Sequence, residues 1–355
     1  MIDKSAIWIH HLDETLDSVH ELEDLNGKSI LITGAGGLIG SALIDLIVRY
    51  NEKNSAKINI IAAGRDRTRI YKRFFPYCEK DYFKIFLFDA LKNSLSSDLY
   101  CNYIINGAGN ADPLKISAEP VETLMANLNG QKQLLEFAYK QDVSRVLYIS
   151  SSEVYGKSIV EKPFAEDDYG YVDQLNPRGS YAIGKRAAEN LCISYCTEYG
   201  VDTVIVRPGH IYGPTASSAD SRVSSAWAYA AACGKNIVMK SDGLSIRSYC
   251  YCLDCATAII KVLTKGESAH AYNVSNPQSV ISIREMAEML AEAGGVRVIK
   301  EMPDKMERLA FNPMLNSSLD SSRLQQLGWK GLFDAKRGLS NTVGIIRELI
   351  NYKVE

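Results

Sequence analysis

The sequence predicts an α/β fold: a doubly wound parallel sheet followed by a smaller C-terminal α/β lobe. Three observations carry that expectation. From Lys28 onward, short apolar runs alternate with amphipathic helical stretches. This is the pattern of repeated βαβ units whose sheet is covered on both faces. A glycine-rich turn, Thr33-Gly34-Ala35-Gly36-Gly37-Leu38-Ile39-Gly40, joins the first run to the first helix. After Arg207 the rhythm breaks into loops rich in Gly, Ser and Pro, such as Gly213-Pro214-Thr215-Ala216-Ser217-Ser218.

The elements follow in order. Residues 4–25 read as one amphipathic helix outside the core fold, with Ile7, Ile9, Leu12, Leu16, Val19 and Leu22 at helical spacing. Ser29–Thr33 is the first strand, and the helix over 38–50 follows the glycine turn. Strands are expected over 58–63, 83–88 and Tyr103–Asn106, then a long helix over 121–141 and a strand over 145–150. A helix carrying Tyr181 and Lys185 runs to Tyr199, and 201–207 is the sixth strand. The expected organisation is an N-terminal extension (1–27), a dinucleotide-binding domain (28–207) and a mainly substrate-binding lobe (208–355). In that lobe Ser282, with Glu285 three residues on, forms a capping box that opens a helix.

A chain of 355 residues with 46% apolar and 23% charged residues has the composition of an ordinary globular protein. A net charge of −2 argues against wrapping nucleic acid or lying on an anionic membrane. No apolar run reaches the roughly 20 residues that span a bilayer. The acidic N-terminus lacks the apolar stretch of a signal peptide, so a cytoplasmic location is expected. The eight cysteines are scattered, and free thiols are expected in a reducing compartment. Cys250, Cys252 and Cys255 have no second pair or nearby His, so buried small residues are expected there and no metal site.

The glycine turn points to a cofactor. Gly34 permits a tight turn, Gly37 lets the backbone approach a pyrophosphate, and Gly40 lets helix and strand pack closely. The phosphates would meet the helix N-terminus at Leu38 and Ile39. Strand before and helix after are the context that makes this a Rossmann-type dinucleotide site. An NAD site usually carries a carboxylate at the end of the second strand, to bind the ribose hydroxyls. Here that stretch reads Ala63-Gly64-Arg65-Asp66-Arg67, with no carboxylate at the strand end. Arg65 could stack on adenine or hold a 2′-phosphate, so NAD and NADP both stay open, with NAD favoured. Asp89, after the third strand, is placed either to meet the adenine amino group or to cap its loop.

A second constellation carries chemistry. Ser151-Ser152-Glu153-Val154-Tyr155-Gly156 follows the fifth strand, and Tyr181 and Lys185 lie one turn apart on one helix face. A lysine ammonium there would favour the tyrosinate, and a strand-end hydroxyl could orient a substrate alcohol against it. That equipment takes a proton from an alcohol while a cofactor takes the hydride.

Together the glycine turn, Asn106-Gly107-Ala108-Gly109, the 151–156 segment and the Tyr181/Lys185 pair resemble the extended short-chain dehydrogenase/reductase family. Its members include nucleotide-sugar epimerases, dehydratases and decarboxylases. The resemblance runs from about Lys28 to Leu327-Gly328-Trp329. Within the family the chain looks most like UDP-glucuronate decarboxylases, whose Thr-Ser-Glu stands where Ser151-Ser152-Glu153 stands here. The 4,6-dehydratases carry an Asp acid at the position of Ser152. Most 4-epimerases lack a Glu at the position of Glu153.

The resemblance implies a role for each residue. Tyr181 is the base at the sugar C4 hydroxyl, Ser151 its hydrogen-bond partner, and Lys185 the holder of the nicotinamide ribose. Ala108 lies against the cofactor, and Ser152 against the substrate. Glu153 would orient the substrate or assist after oxidation. Arg222 would clamp phosphate. Arg247 would clamp the diphosphate or protonate the sugar. His210 stands where the family usually has an Asn touching the nucleotide sugar, which implies an altered sugar or base preference.

The expected function is therefore UDP-sugar modification through transient C4 oxidation, with decarboxylation of UDP-glucuronate foremost. A 4-epimerase or an NADP-dependent keto-sugar reductase is the alternative, and a non-catalytic cofactor-binding regulator the non-enzyme one. A homodimer through the 121–141 and 181–199 helices is expected from the same resemblance.

Overall fold

The computed structural model describes residues 2–92, 95–96, 98–158, 162–302 and 314–352. Its strands are β1 (Ser29–Thr33), β2 (Asn59–Gly64), β3 (Phe83–Leu87), β4 (Tyr103–Asn106), β5 (Arg145–Ile149), β6 (Thr203–Pro208), β7 (His210–Tyr212), β8 (Ile237–Met239), β9 (Ile246–Tyr251), β10 (His270–Val274), β11 (Val280–Ser282), β12 (Val298–Lys300) and β13 (Asn316–Ser317). The helices are α1 (Ala6–Leu16), α2 (Leu38–Asn54), α3 (Arg67–Phe74), α4 (Pro113–Ala118), α5 (Pro120–Lys140), α6 (Ser180–Tyr199), α7 (Val223–Ala232), α8 (Cys252–Lys265), α9 (Ile283–Gly294), α10 (Ser322–Gln326) and α11 (Ala335–Asn351).

Seven parallel strands form the main sheet in the order β10-β6-β5-β4-β1-β2-β3. The order reverses between β1 and β4, so the carboxyl ends of those strands open a crevice where ligands sit in such sheets. The central strands are buried on both faces, as their unbroken apolar runs require. A second sheet pairs β7, β9, β11 and β13, and β8 pairs with β12. The capping box at Ser282 forms as expected and opens α9.

Two expectations are corrected. The sheet does not end at Arg207: the chain goes out through β7, α7, β8 and β9, and returns along α8 to add β10 beside β6. Residues 4–25 are neither one helix nor outside the core. They form α1 and a short 3-10 turn, His20–Leu25, with Trp8, Leu12, Val19, Leu22 and Leu25 all buried. Trp8 donates its indole N–H to the buried Asp45 of α2 at 3.1 Å, and that carboxylate also receives Arg73 and, at 3.2 Å, the Tyr77 hydroxyl. A buried carboxylate is tolerable when three donors surround it. Cys250 ends in β9, while Cys252 and Cys255 open α8, all three buried as free thiols. No helix among the described residues is long and apolar enough to cross a membrane.

Candidate active site

The cofactor end is built from two loops pressed together. Gly34 has φ of +68°, and a Cβ placed on it would lie 2.3 Å from the Gly107 carbonyl oxygen. A Cβ on Gly40 would lie 2.5 Å from the Gly34 carbonyl oxygen, so α2 starts hard against the turn. Thr33 Oγ1 donates to Asn106 Oδ1 at 2.6 Å, and the Ala108 amide donates to both side chains at 3.1 Å. These bonds fix β1 and β4 loops that the sequence can only place separately. Gly37 is the N-cap of α2 and offers no side-chain acceptor to the first-turn amides. Those amides, which include Leu38 and Ile39, fit the pyrophosphate of a dinucleotide. The residues present therefore fit NAD or NADP.

No carboxylate stands where the ribose hydroxyls would lie. β2 ends at Gly64, and Arg65, Asp66, Arg67 and Arg69 are exposed beyond it. Asp66 is turned away as the N-cap of α3, accepting the Arg69 amide at 3.0 Å. Arg69, not singled out from the sequence, reaches back over the glycine turn: its Nε lies 4.0 Å from the Cβ position of Gly36. Asp89 caps its own loop, accepting the Leu91 amide at 3.1 Å, and has Lys92 Nζ at 3.5 Å.

The catalytic constellation assembles where β5 ends. Ser151 is the N-cap of the 3-10 turn Ser152–Tyr155, accepting the Glu153 amide at 3.2 Å, and its hydroxyl lies on the Tyr181 side, where it favours the ionised phenol. Tyr181 and Lys185 lie one turn apart near the start of α6, both buried. Lys185 Nζ donates to the Ile149 carbonyl at 2.7 Å and lies 4.7 Å from the Tyr148 ring centre. A Cβ on Gly109 would be 3.7 Å from that ammonium and 3.3 Å from Asn127 Oδ1, so Lys185 and Asn127 sit directly under the 107–109 loop. Asn127 of α5 also accepts from the Tyr148 hydroxyl at 3.3 Å. It was missed because one polar residue on a long helix carries no motif.

The electrostatics differ from the simple lysine–tyrosine expectation. Burial pushes the Tyr181 phenol up to about 12, and the Glu153 carboxylate adds to the rise. Ser151, Arg222 and Arg178 oppose it, and Lys185 Nζ lies 5.8 Å from the Tyr181 ring centre. Burial brings Lys185 itself down to about 7, against the pull of Glu189. Without cofactor, then, the lysine is a weak cation whose ammonium is directed to the β5 carbonyl. Arg222 and Arg178 add positive charge on the Tyr181 side.

Arg178 is the chief residue that the sequence reading did not assign. It grips Glu153 with two parallel bonds of 3.0 and 2.9 Å. Glu153 is thus an ion-paired carboxylate at the mouth of the site, half-exposed like its partner. Loop residues 25 apart give no periodic signal, although the Asn176-Pro177-Arg178 turn before α6 was visible; Asn176 caps it by accepting the Arg178 amide at 3.0 Å. Below them Arg207 clamps Glu189 at 3.0 and 2.7 Å and reaches the Tyr155 hydroxyl at 3.0 Å, tying the 3-10 turn to α6.

The substrate side comes from β7, β9 and the start of α7. Arg222, the N-cap residue of α7, is held by Asp220, so it is a neutralised cation. Arg247 in β9 is 3% exposed. It donates to the Ile246 carbonyl at 2.8 Å and pairs with no carboxylate among the described residues. His210 of β7 lies beside Tyr249, with ring centres 5.6 Å apart. Arg222 bridges the two halves, acting on both Tyr181 and His210, and Arg247 acts on His210. Ser152 sits part-buried in the 3-10 turn and brings no acid to the site.

Known proteins resemble this chain in sequence and in fold. Over 318 residues the chain is 28% identical to UDP-glucuronic acid decarboxylase 6 of Arabidopsis thaliana, covering 87% of this chain and 86% of that one. It is 26% identical over 337 residues to UDP-glucuronic acid decarboxylase 1 of Xenopus tropicalis, covering 94% and 75%. Among solved structures, UDP-glucose 4-epimerase of Thermotoga maritima, with UDP-glucose, superposes with a TM-score of 0.77. Its identity is 20%, with 91% and 99% of the two chains covered. UDP-glucuronic acid 4-epimerase of Bacillus cereus, in complex with UDP-glucuronic acid and NAD, gives 0.75 at 20% identity, covering 90% and 99%. These two likenesses are of fold. The sequence pattern described as the NAD dependent epimerase/dehydratase family matches residues 30–275, most of the chain. The chain belongs to the NAD dependent epimerase/dehydratase family.

Proposed function

We propose that the protein modifies a UDP-linked sugar by transient oxidation at C4, and that its reaction is the decarboxylation of a UDP-uronate. The observation that carries this is the buried Tyr181, on the Ser151 side of α6 and one turn from a buried Lys185 that lies under the 107–109 loop. A bound nicotinamide supplies the hydride acceptor and, later, the hydride donor. Tyr181 Oη takes the proton of the sugar hydroxyl, which Ser151 orients. Lys185 holds the cofactor ribose. A ketone at C4 turns a C5 carboxylate into a β-keto acid, which loses carbon dioxide because the electrons flow into the ketone.

The arginines divide the remaining work. Arg178, paired with Glu153, borders the reacting sugar close to Tyr181. Arg247, on the His210 side, clamps the diphosphate, and a water held by Glu153 returns the proton to C5 once carbon dioxide has left. Ser152 supplies no acid for water loss, which argues against dehydration. Incubating the protein with UDP-glucuronate and NAD should release carbon dioxide and a UDP-pentose, read by product NMR. A 4-epimer with retained carboxylate would replace this reading with epimerisation. The three arginines beyond β2 favour one second reading, an NADP-dependent keto-sugar reductase. That enzyme would consume NADPH stoichiometrically. A non-catalytic regulator would keep its biological activity after Tyr181→Phe. A homodimer through α5 and α6 is part of the proposal; the exposed Tyr139 and Tyr199, with ring centres 5.2 Å apart, support it. So is a cytoplasmic location.

A further inference from the structure

His210 is part-buried and keeps one ring nitrogen, Nδ1, shielded from solvent and without a hydrogen-bond partner among the described residues. An orphaned buried nitrogen costs about 1–3 kcal/mol, so it needs an explanation. The groups that face it come from two elements. From β9 come Arg247, which carries no carboxylate partner among the described residues, and the Tyr249 phenol. From the start of α7 comes Arg222, already neutralised by Asp220. Among the described residues the charged groups that act on His210 are Arg247 and Arg222. An unneutralised buried guanidinium beside an unsatisfied imidazole makes a pocket short of negative charge.

We propose that His210 takes up a proton when the substrate diphosphate seats between it and Arg247, so that binding of the nucleotide sugar is coupled to protonation of this residue. The inference rests on the nucleotide-sugar reading above and deepens it. An Asn at this position could hydrogen-bond the same oxygens but could not carry the proton. In the empty pocket burial and the two guanidiniums hold the imidazole neutral, bringing it down to about 4. A diphosphate at hydrogen-bond distance reverses the local field and favours the imidazolium. The bound-state pKa then exceeds the free-state one. Between the two values binding draws in a proton, and affinity rises as pH falls.

The test is calorimetric titration with UDP-glucose, whose diphosphate does not itself titrate near neutrality. It is run at pH 5.5–7.5 in buffers of different protonation enthalpy, none of them phosphate. The expected result is a binding enthalpy that depends on the buffer, with a slope corresponding to uptake of up to one proton. Affinity should rise by up to about tenfold per pH unit of acidification within that window. His210→Asn should abolish the slope at whatever affinity it retains. Wild-type binding with no buffer dependence, or an unchanged slope in His210→Asn, overturns the inference and leaves the substrate reading standing. Failure of wild-type protein to bind UDP-glucose, UDP-glucuronate and UDP overturns both.

Discussion

Replacing Gly34 by Ala should cost both stability and cofactor affinity, because the turn it opens is one side of the cofactor cradle. The residue has φ of +68°, where an L side chain pays about 1–2 kcal/mol. Space is the larger problem. The new methyl would lie 2.3 Å from the Gly107 oxygen and 2.6 Å from its carbon, both backbone atoms that cannot rotate aside. The turn must retreat from the 107–109 loop by about 1 Å to restore van der Waals contact. That retreat moves the α2 amides relative to Lys185, the two sides of the cofactor cradle.

An affinity loss of about 10–100-fold follows from 1.4–2.8 kcal/mol of misplaced contacts. Gly200→Ala is the control, because Gly200 has φ of +70° with nothing within 4 Å of its Cβ position. It should lower the melting temperature through strain alone and leave NAD(H) binding intact. Both variants are read by thermal melting and by fluorescence titration with NADH. Wild-type NADH affinity in Gly34→Ala, with a melting shift no larger than that of Gly200→Ala, would refute the cradle argument.

Other perturbations reach the remaining parts of the site. Tyr181→Phe should lower turnover by about 10²–10⁴-fold while leaving substrate Kd nearly unchanged, since it removes a proton acceptor and not a binding contact. Lys185 is brought down to about 7 in the fold, so between pH 7 and 10 the unfolded chain binds more protons at this group. Its contribution therefore stabilises the cofactor-free protein as pH rises, by up to about 1.4 kcal/mol per pH unit; urea melts of Lys185→Met should lack that slope. Breaking the Glu153–Arg178 pair should cost no more than about 1 kcal/mol of stability because both groups are half-exposed. Glu153→Gln should nonetheless move the ascending limb of the pH–rate profile to lower pH, because the Glu153 charge raises the phenol of Tyr181, the base, which must be ionised to act. Arg65→Ala combined with Arg69→Ala should weaken NADP binding more than NAD binding, and equal losses would count against a 2′-phosphate role for these cations.

The glycine turn and the Tyr181/Lys185 pair were legible because each is local: strand, turn and helix in one stretch, or two residues one helical turn apart. The first six strands of the sheet were legible for the same reason. Other features depend on pairing across distance. β10 is five residues, His-Ala-Tyr-Asn-Val, without alternation, and only its register beside β6 makes it a strand of the main sheet. The Arg178–Glu153 grip joins two loops. Asn127 reaches the site only because α5 packs along α6. The amphipathic pattern of residues 4–25 correctly signalled an apolar face. It could not say that Trp8 would find Asp45 and so be drawn into the core.

The path of the chain around β10 has a mechanical meaning. The polypeptide leaves the sheet after β6, forms β7 to β9, comes home to lay down β10, and departs again for β11 to β13. The smaller lobe is therefore stitched to the sheet by several passes and does not hang from one hinge. Severing the chain at 207/208 would not release two folding units. It would strip β10 and α8 from β6, a strand buried along its whole length, and leave it as a naked apolar edge open to self-association. Closure over a substrate must accordingly come from loops such as 213–222, since a lobe sewn down this way cannot swing as a door.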